Sequence, residues 1–223
     1  NGRVSLELPA ADTAMDPQRL RRLLGEGFLA HALALDESAV GLRLHGDVDM
    51  RATARPIMEA LRDKLGESLN LTIREGDEVV YIDKVTPNRM VHVQQLIGAR
   101  APLHVTAVGK LMLGASGTDA MRAYAGRTNL PAYTRNTITT LSRLIDECST
   151  SFARGYALDE QEAEMDVGCI GVLLLDAAGR VAGGLSVSAP IERRRLEWID
   201  DLRAAGRAIS AQLGWQDPDD RSS

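Results

Sequence analysis

The spacing of the strand-like segments constrains this chain most, because they come as hairpins with only a tight turn between them. Leu69-Asn-Leu-Thr-Ile73 alternates apolar and polar residues, Gly76-Asp77 supplies a turn, and Val79 to Val85 forms the returning strand. Further along, Gly171 to Leu175 and Arg180 to Ser188 flank Asp176-Ala-Ala-Gly179 in the same manner. Strands that return at once pair antiparallel, since a parallel partner needs a crossover of roughly a dozen residues or more. The pattern favours an α+β fold, an antiparallel sheet with helices packed on it, over a doubly wound sheet. Met90 to Val93 is a further short strand candidate.

Helical spacing fills the intervals. Asp49 to Leu65 places Ile57, Met58, Leu61 and Leu65 on one face, with Gly66 as the stop. Helices are expected from Ala107 to Leu113, from Asp119 to Tyr124, and from a Thr140 cap to about Ala153, closed by Gly155. A long amphipathic helix is expected from about Ile191 to Leu213, ending at Gly214, with Arg193-Arg-Arg195 as its solvated start. The first 45 or so residues read differently. Asp16-Pro17 opens a helix in which Leu20, Leu23 and Leu24 share a face and Arg19 and Arg22 point to solvent. Gly25-Glu-Gly27 ends it, and Phe28 to Leu35 and Val40 to Leu44 read as two short strands, the pattern of a winged helix. The expected organisation is a partial winged-helix unit (1–48), a linker helix (49–66), a main domain (67–216) and an acidic tail (217–223).

Composition narrows the function. The chain has 223 residues, 44% of them hydrophobic, which supports a packed core rather than global disorder. Its formal net charge is −5. Within residues 1–35, however, Arg3, Arg19, Arg21 and Arg22 balance Glu7, Asp12, Asp16 and Glu26, so the acidity lies elsewhere and does not exclude DNA. With two Trp, four Tyr and two Phe, a row of stacking rings for single-stranded nucleic acid is not expected. The longest apolar run, Cys169 to Leu175, is far short of the roughly 20 residues a membrane span requires. No basic stretch precedes an apolar one in signal-peptide fashion, and Cys148 and Cys169 cannot form a disulfide framework. A cytoplasmic protein is the expectation.

Catalytic and cofactor motifs are weak. Gly25-Glu-Gly27-Phe-Leu-Ala30 matches a dinucleotide fingerprint formally but follows an Arg-rich helix rather than a strand. Gly109-Lys110 is followed by Leu111 rather than a phosphate-loop Ser or Thr. The acidic run Asp159, Glu160, Glu162, Glu164 and Asp166 lacks the glycine of a calcium loop and reads as a solvated loop. His31, His45, His92 and His104 are scattered without metal-ligand spacing, so neither metal nor cofactor is expected. Cys169 remains a candidate nucleophile, with His104 or His92 as base, and that is the competing enzymatic reading.

Several segments in order resemble a known family. Glu75-Gly-Asp-Glu-Val-Val-Tyr-Ile-Asp-Lys84, Ile97-Gly-Ala-Arg-Ala-Pro-Leu-His104 and Gly109-Lys110 resemble the effector domain of IclR-type transcriptional regulators. So do Leu130 to Ile138, Arg154-Gly-Tyr-Ala-Leu-Asp-Glu160, Gly168-Cys-Ile170 and Gly184-Leu-Ser-Val-Ser-Ala-Pro190. The resemblance covers about residues 50 to 214. It implies a GAF-like effector domain, a linker helix and a winged helix that binds operator DNA. Members are typically homodimers and often dimers of dimers. Here the stretch from Leu24 to Gly27 is about one helical turn shorter than the family pattern, and the first helix of the motif is absent.

By the same resemblance the effector is a small carboxylate or aromatic acid. Thr106, Ala107, Val108, Asp159, Cys169, Ser186 and Ser188 correspond to polar effector contacts, and Met90, Val93 and Val167 to the apolar wall. Gln18, Arg19 and Arg22 would meet DNA. Ala107-Val108 stands where members often carry Gly-Ala, which implies a tighter or reshaped pocket. The residues give this some independent footing: a helix opening at Thr106 to Val108 offers free N–H groups to an anion, and Ser186 and Ser188 share one face of a strand.

Overall fold

The structure, a computed structural model, describes residues 37–216 apart from 91 and 94, with side chains from residue 50 onward. The chain divides into two units, residues 1–46 and 47–223. The expected helix opened by Asp16-Pro17, with Gln18, Arg19 and Arg22, the Phe28 to Leu35 strand and the tail lie outside the described residues.

In chain order the elements are α1 (Glu37–Leu65), β1 (Ser68–Glu75), β2 (Glu78–Val85), β3 (Arg100–Pro102), a 3-10 turn (Leu103–Val105), α2 (Ala107–Ser116), α3 (Thr118–Thr128), α4 (Leu141–Arg154), β4 (Ala157–Glu160), β5 (Val167–Leu175), β6 (Val181–Pro190) and α5 (Trp198–Gln212). The six strands form one sheet in the order β3-β2-β1-β6-β5-β4, and every pairing is antiparallel. This is the α+β architecture that the hairpin spacing predicts. Gly76 takes φ +62 at the β1–β2 turn, where a two-residue hairpin needs a positive value. Asp176 Oδ1 accepts from the N–H groups of Ala178 (2.9 Å) and Arg180 (3.0 Å), closing the β5–β6 turn.

Alternation along the strands gives the sheet two unlike faces. On one, Leu69, Leu71, Ile170, Val172, Leu174, Leu185 and Val187 are buried against α1 and α5. Met50, Ala54, Met58 and Leu61 of α1 and Leu202, Ala205 and Ile209 of α5 supply the matching helical stripes. Full burial of each large aliphatic side chain stabilises the fold by roughly 1.5–3 kcal/mol, so this layer is the main core. Buried Asp83, on β2, is 2.7 Å from the Arg55 guanidinium of α1. The other face carries Ser68, Asn70, Thr72, Ser186, Ser188, Cys169 and Asp159, and α2 packs on it.

Four sequence expectations are corrected. Val40 to Leu44 is helical backbone within α1, not a strand; an apolar run that short satisfies either period. Met90 to Val93 forms no strand at its described positions. The last helix begins at Trp198 rather than Ile191, because β6 continues to Pro190 and Arg193 turns aside to bind Glu67 at 2.7 and 3.0 Å. The acidic run is no solvated loop: Asp159 and Glu160 belong to β4, and Asp159 and Glu162 are buried.

Candidate functional site

The second sheet face is built around the first turn of α2. Thr106 caps that helix, its Oγ1 accepting from the Gly109 N–H at 3.1 Å. The helix start lies so close to the sheet that a Cβ on Gly171 would meet Val108 N at 2.9 Å and Ala107 Cβ at 3.0 Å. A Cβ on Gly184 would meet Val108 Cβ at 2.8 Å. Glycine at both positions is therefore what lets the helix N-terminus reach the floor, as glycine does wherever backbone must approach closely.

The floor is polar and almost wholly buried. Ser68, Asn70, Thr72, Ser186 and Ser188 are each no more than 5% exposed. Pairing puts Ser68 beside Ser188 and Asn70 beside Ser186, then Ser188 beside Cys169 and Cys169 beside Asp159. Asn70 Nδ2 donates to Ser188 Oγ at 3.0 Å, and Ser188 Oγ lies 3.2 Å from Cys169 Sγ. Thr72 Oγ1 donates to the Gly184 carbonyl at 3.2 Å. Asn70 Oδ1 is buried without a hydrogen-bond partner among the described residues. An acceptor left in that state costs about 1–3 kcal/mol, so it marks a place where a donor is wanted.

Burial also sets the protonation. It raises the Asp159 carboxyl from 3.8 to about 7, although its Oδ1 accepts from the Glu162 N–H at 2.7 Å; the neighbouring Glu162 carboxylate pushes it the same way as burial does. Burial likewise drives the Cys169 thiol and the Tyr81 phenol upward, and in each case the Asp159 charge adds to the shift. The three groups share one low-dielectric neighbourhood and are all neutral in mildly acidic solution. Cys169 therefore lacks the electropositive setting that makes a thiolate. Its candidate bases are also engaged elsewhere. His104 Nδ1 lies 2.7 Å from Tyr124 Oη and Nε2 3.1 Å from the Pro131 carbonyl, while His92 Nδ1 lies 2.8 Å from the Arg89 carbonyl.

The acidic run is clamped from above by a fully buried lysine. Lys110 Nζ donates to Glu162 Oε1 at 2.7 Å and lies 3.4 Å from Glu147 Oε1. Thr137 Oγ1 donates to the Glu162 carbonyl at 2.7 Å and Thr134 Oγ1 to that of Gln161 at 2.6 Å. The Glu162 N–H that donates to Asp159 Oδ1 belongs to this clamped segment.

Of the residues expected from the sequence, Thr106, Ala107, Val108, Asp159, Cys169, Ser186 and Ser188 come together on this face. Val167 sits two residues from Cys169 on the same side of β5, opposite Pro190. Val93 takes part through its carbonyl, which accepts from Ser68 Oγ at 2.7 Å. Met90 does not belong: its side chain is fully exposed, so it forms no apolar wall. Sequence reasoning missed Ser68, Asn70 and Thr72, although their alternation with Leu69 and Leu71 was the available signal. It also missed Lys110, whose partner Glu162 is 52 residues away. Among the described residues, no group of three or more His, Cys, Asp or Glu side chains is disposed to hold a metal ion. No described helix is long and apolar enough to cross a membrane.

Comparison with known proteins identifies the family. The family model described as bacterial transcriptional regulator IclR C-terminal matches residues 43–214. The DNA-binding transcriptional repressor YiaJ of Escherichia coli K12 is 32% identical over 189 residues, spanning 82% of this chain and 67% of its own. The C-terminal domain of the E. coli regulator KdgR superposes with a TM-score of 0.67 at 31% identity, covering 75% of this chain and 99% of that one. The Thermotoga maritima IclR structure superposes at 0.70 with 30% identity, covering 74% and 69%. The chain belongs to the IclR family of bacterial transcriptional regulators.

Proposed function

We propose that the polar sheet face beneath α2 is the sensing site of this regulator and that it takes a small carboxylic acid. The observation that carries the reading is a helix start pressed onto a buried polar floor that holds an orphaned acceptor, Asn70 Oδ1. The N–H groups of the first turn and the dipole favour the ligand carboxylate. Ser186 and Ser188 supply hydroxyls, and Asn70 Oδ1 accepts from a donor on the ligand. Below about pH 7 Asp159 is mostly neutral and can stand beside an anion without repelling it. Val108 fills space between Gly171 and Gly184, so the acid is small or enters as α2 shifts.

The site senses rather than catalyses, because Cys169 has neither a thiolate setting nor a free base. Acid binding favours one arrangement of the DNA-binding units over another, and operator affinity follows through Gln18, Arg19 and Arg22 of a homodimer. A coupling of about 1–3 kcal/mol is typical of such switches. The test is a thermal-shift screen with pyruvate, benzoate and 4-hydroxybenzoate, followed by a gel shift on the protein's own promoter. An acid at about 100 times its Kd adds roughly 2.7 kcal/mol of stability. Stabilisation without turnover and an acid-dependent gel shift support the reading. Turnover abolished by Cys169→Ser would overturn it.

A further inference from the structure

We infer that the chain carries a second acid site, distinct from the polar face, in a cleft along the open edge of β5 that takes an amphipathic carboxylate such as a medium-chain fatty acid. β4 pairs with β5 only from Gly168 to Gly171, so on the side away from β6 no described strand pairs with β5 from Val172 to Leu175. A cleft of about 640 Å³ runs there, between α2 and α4 on one side and α5 on the other. That volume is in the range of small-molecule sites, roughly 300–1,000 Å³.

The chemistry of the walls selects the ligand. The apolar lining comes from Leu111 and Ala115 of α2, Phe152 of α4, Val172 and Leu173 of β5, and Trp215. Phe152 is 48% exposed, a large ring left facing solvent that an acyl chain would cover. The charged lining is of one sign: Arg180, Arg203 and Arg207, with no Asp or Glu. Arg180 is bound to Asp176 at 2.8 Å, whereas Arg203 and Arg207 form no ion pair with a described residue. An apolar trough with two guanidinium groups on its rim that pair with no described carboxylate is complementary to a body of hydrocarbon ending in a carboxylate, which guanidinium binds through paired N–H donors.

The cleft also abuts the polar face. Leu111 and Leu173, which line the cleft, pack in one cluster with Ala107 and Cys169 of the polar face. A molecule in the cleft therefore presses on the helix whose first turn covers the other site. The inference does not depend on the polar face binding an acid.

The test uses fluorescence, because Trp198 and Trp215 are the two tryptophans in the chain and Trp215 lines the cleft. In a Trp198→Phe protein, decanoate below its micelle-forming range should change Trp215 emission saturably. The Arg203→Glu/Arg207→Glu variant should bind decanoate at least about tenfold more weakly, and 1-decanol should bind correspondingly weakly, since the charge-assisted bonds are lost in both. Ser186→Ala should bind decanoate like the parent. Four results would each overturn the inference: no saturable response, equal binding of decanol, loss of the response in Ser186→Ala, or binding only after removal of residues 217–223. A change of oligomeric state in the double arginine variant, with no change in decanoate affinity, would make the cleft an interface between copies instead.

Discussion

The two faces of the central sheet are made by the same strands yet do opposite work. Asn70 and Leu71 are neighbours in β1; one faces α2 with an orphaned carbonyl, the other is sealed between α1 and α5. The apolar face stores stability in shape and area. The polar face holds dipoles in fixed positions and tolerates an unsatisfied group, as sites awaiting a ligand commonly do. On the proposed reading, one antiparallel sheet serves as core on one side and as binding floor on the other, its alternation interrupted only by the register shifts at Leu71/Thr72 and Leu174/Leu175 among the described pairings.

Breaking the contrast begins with the largest effects. Lys110→Met should cost about 3–5 kcal/mol in chemical denaturation, because it strands the buried Glu162 carboxylate. A cost near zero would mean that the acidic run is not clamped. Leu71→Ala should cost about 2–5 kcal/mol through the cavity it leaves. Its neighbour supplies the counterpart. Asn70→Leu should change stability by no more than about 1 kcal/mol, since it removes an orphaned acceptor along with one donor, and it should abolish acid binding. Equal penalties at 70 and 71 would erase the distinction between the faces.

The smallest effect sharpens the electrostatics. The folded chain holds the Asp159 proton up to about pH 7, whereas an unfolded aspartate with pKa 3.8 has already lost it. Between those values the folded state binds more protons, so this group's contribution to stability falls as pH rises and is level above about 7. Acid affinity should weaken through the same upper boundary, by at most about tenfold per unit as Asp159 ionises. Asp159→Asn should flatten both profiles. A wild-type binding profile that is flat from pH 6 to about 8.5 would show that the carboxyl is not beside the acid.

Much of the fold was legible because it rests on local periodicity. The β1–β2 and β5–β6 hairpins and the helices over 107–116, 118–128 and 141–154 all follow from alternation, caps and glycine stops. What was illegible is either short or non-local. β3 has three residues and β4 four, and β4 carries Asp159 and Glu160, poor strand formers that succeed only because β5 is beside them. The acidic run read as solvated because its partners Lys110, Thr134 and Thr137 lie 25 or more residues away. Within the site, Ser186 and Ser188 were readable from strand alternation once the family motif was in view. The same alternation marks Asn70 and Thr72, where no motif drew attention to them. Met90 shows the limit of carrying a role across by position alone, since its side chain points to solvent.

The most direct measurement is calorimetric titration of the wild-type protein and Ser186→Ala with whichever of pyruvate, benzoate or 4-hydroxybenzoate gives a thermal shift. Ser186 Oγ forms no hydrogen bond with a described residue, so its loss should leave the melting temperature nearly unchanged. The account predicts one-site binding in the wild type and at least about tenfold weaker binding in the variant. Equal affinity for both proteins, at matched stability, would contradict the placement of the acid on the polar face.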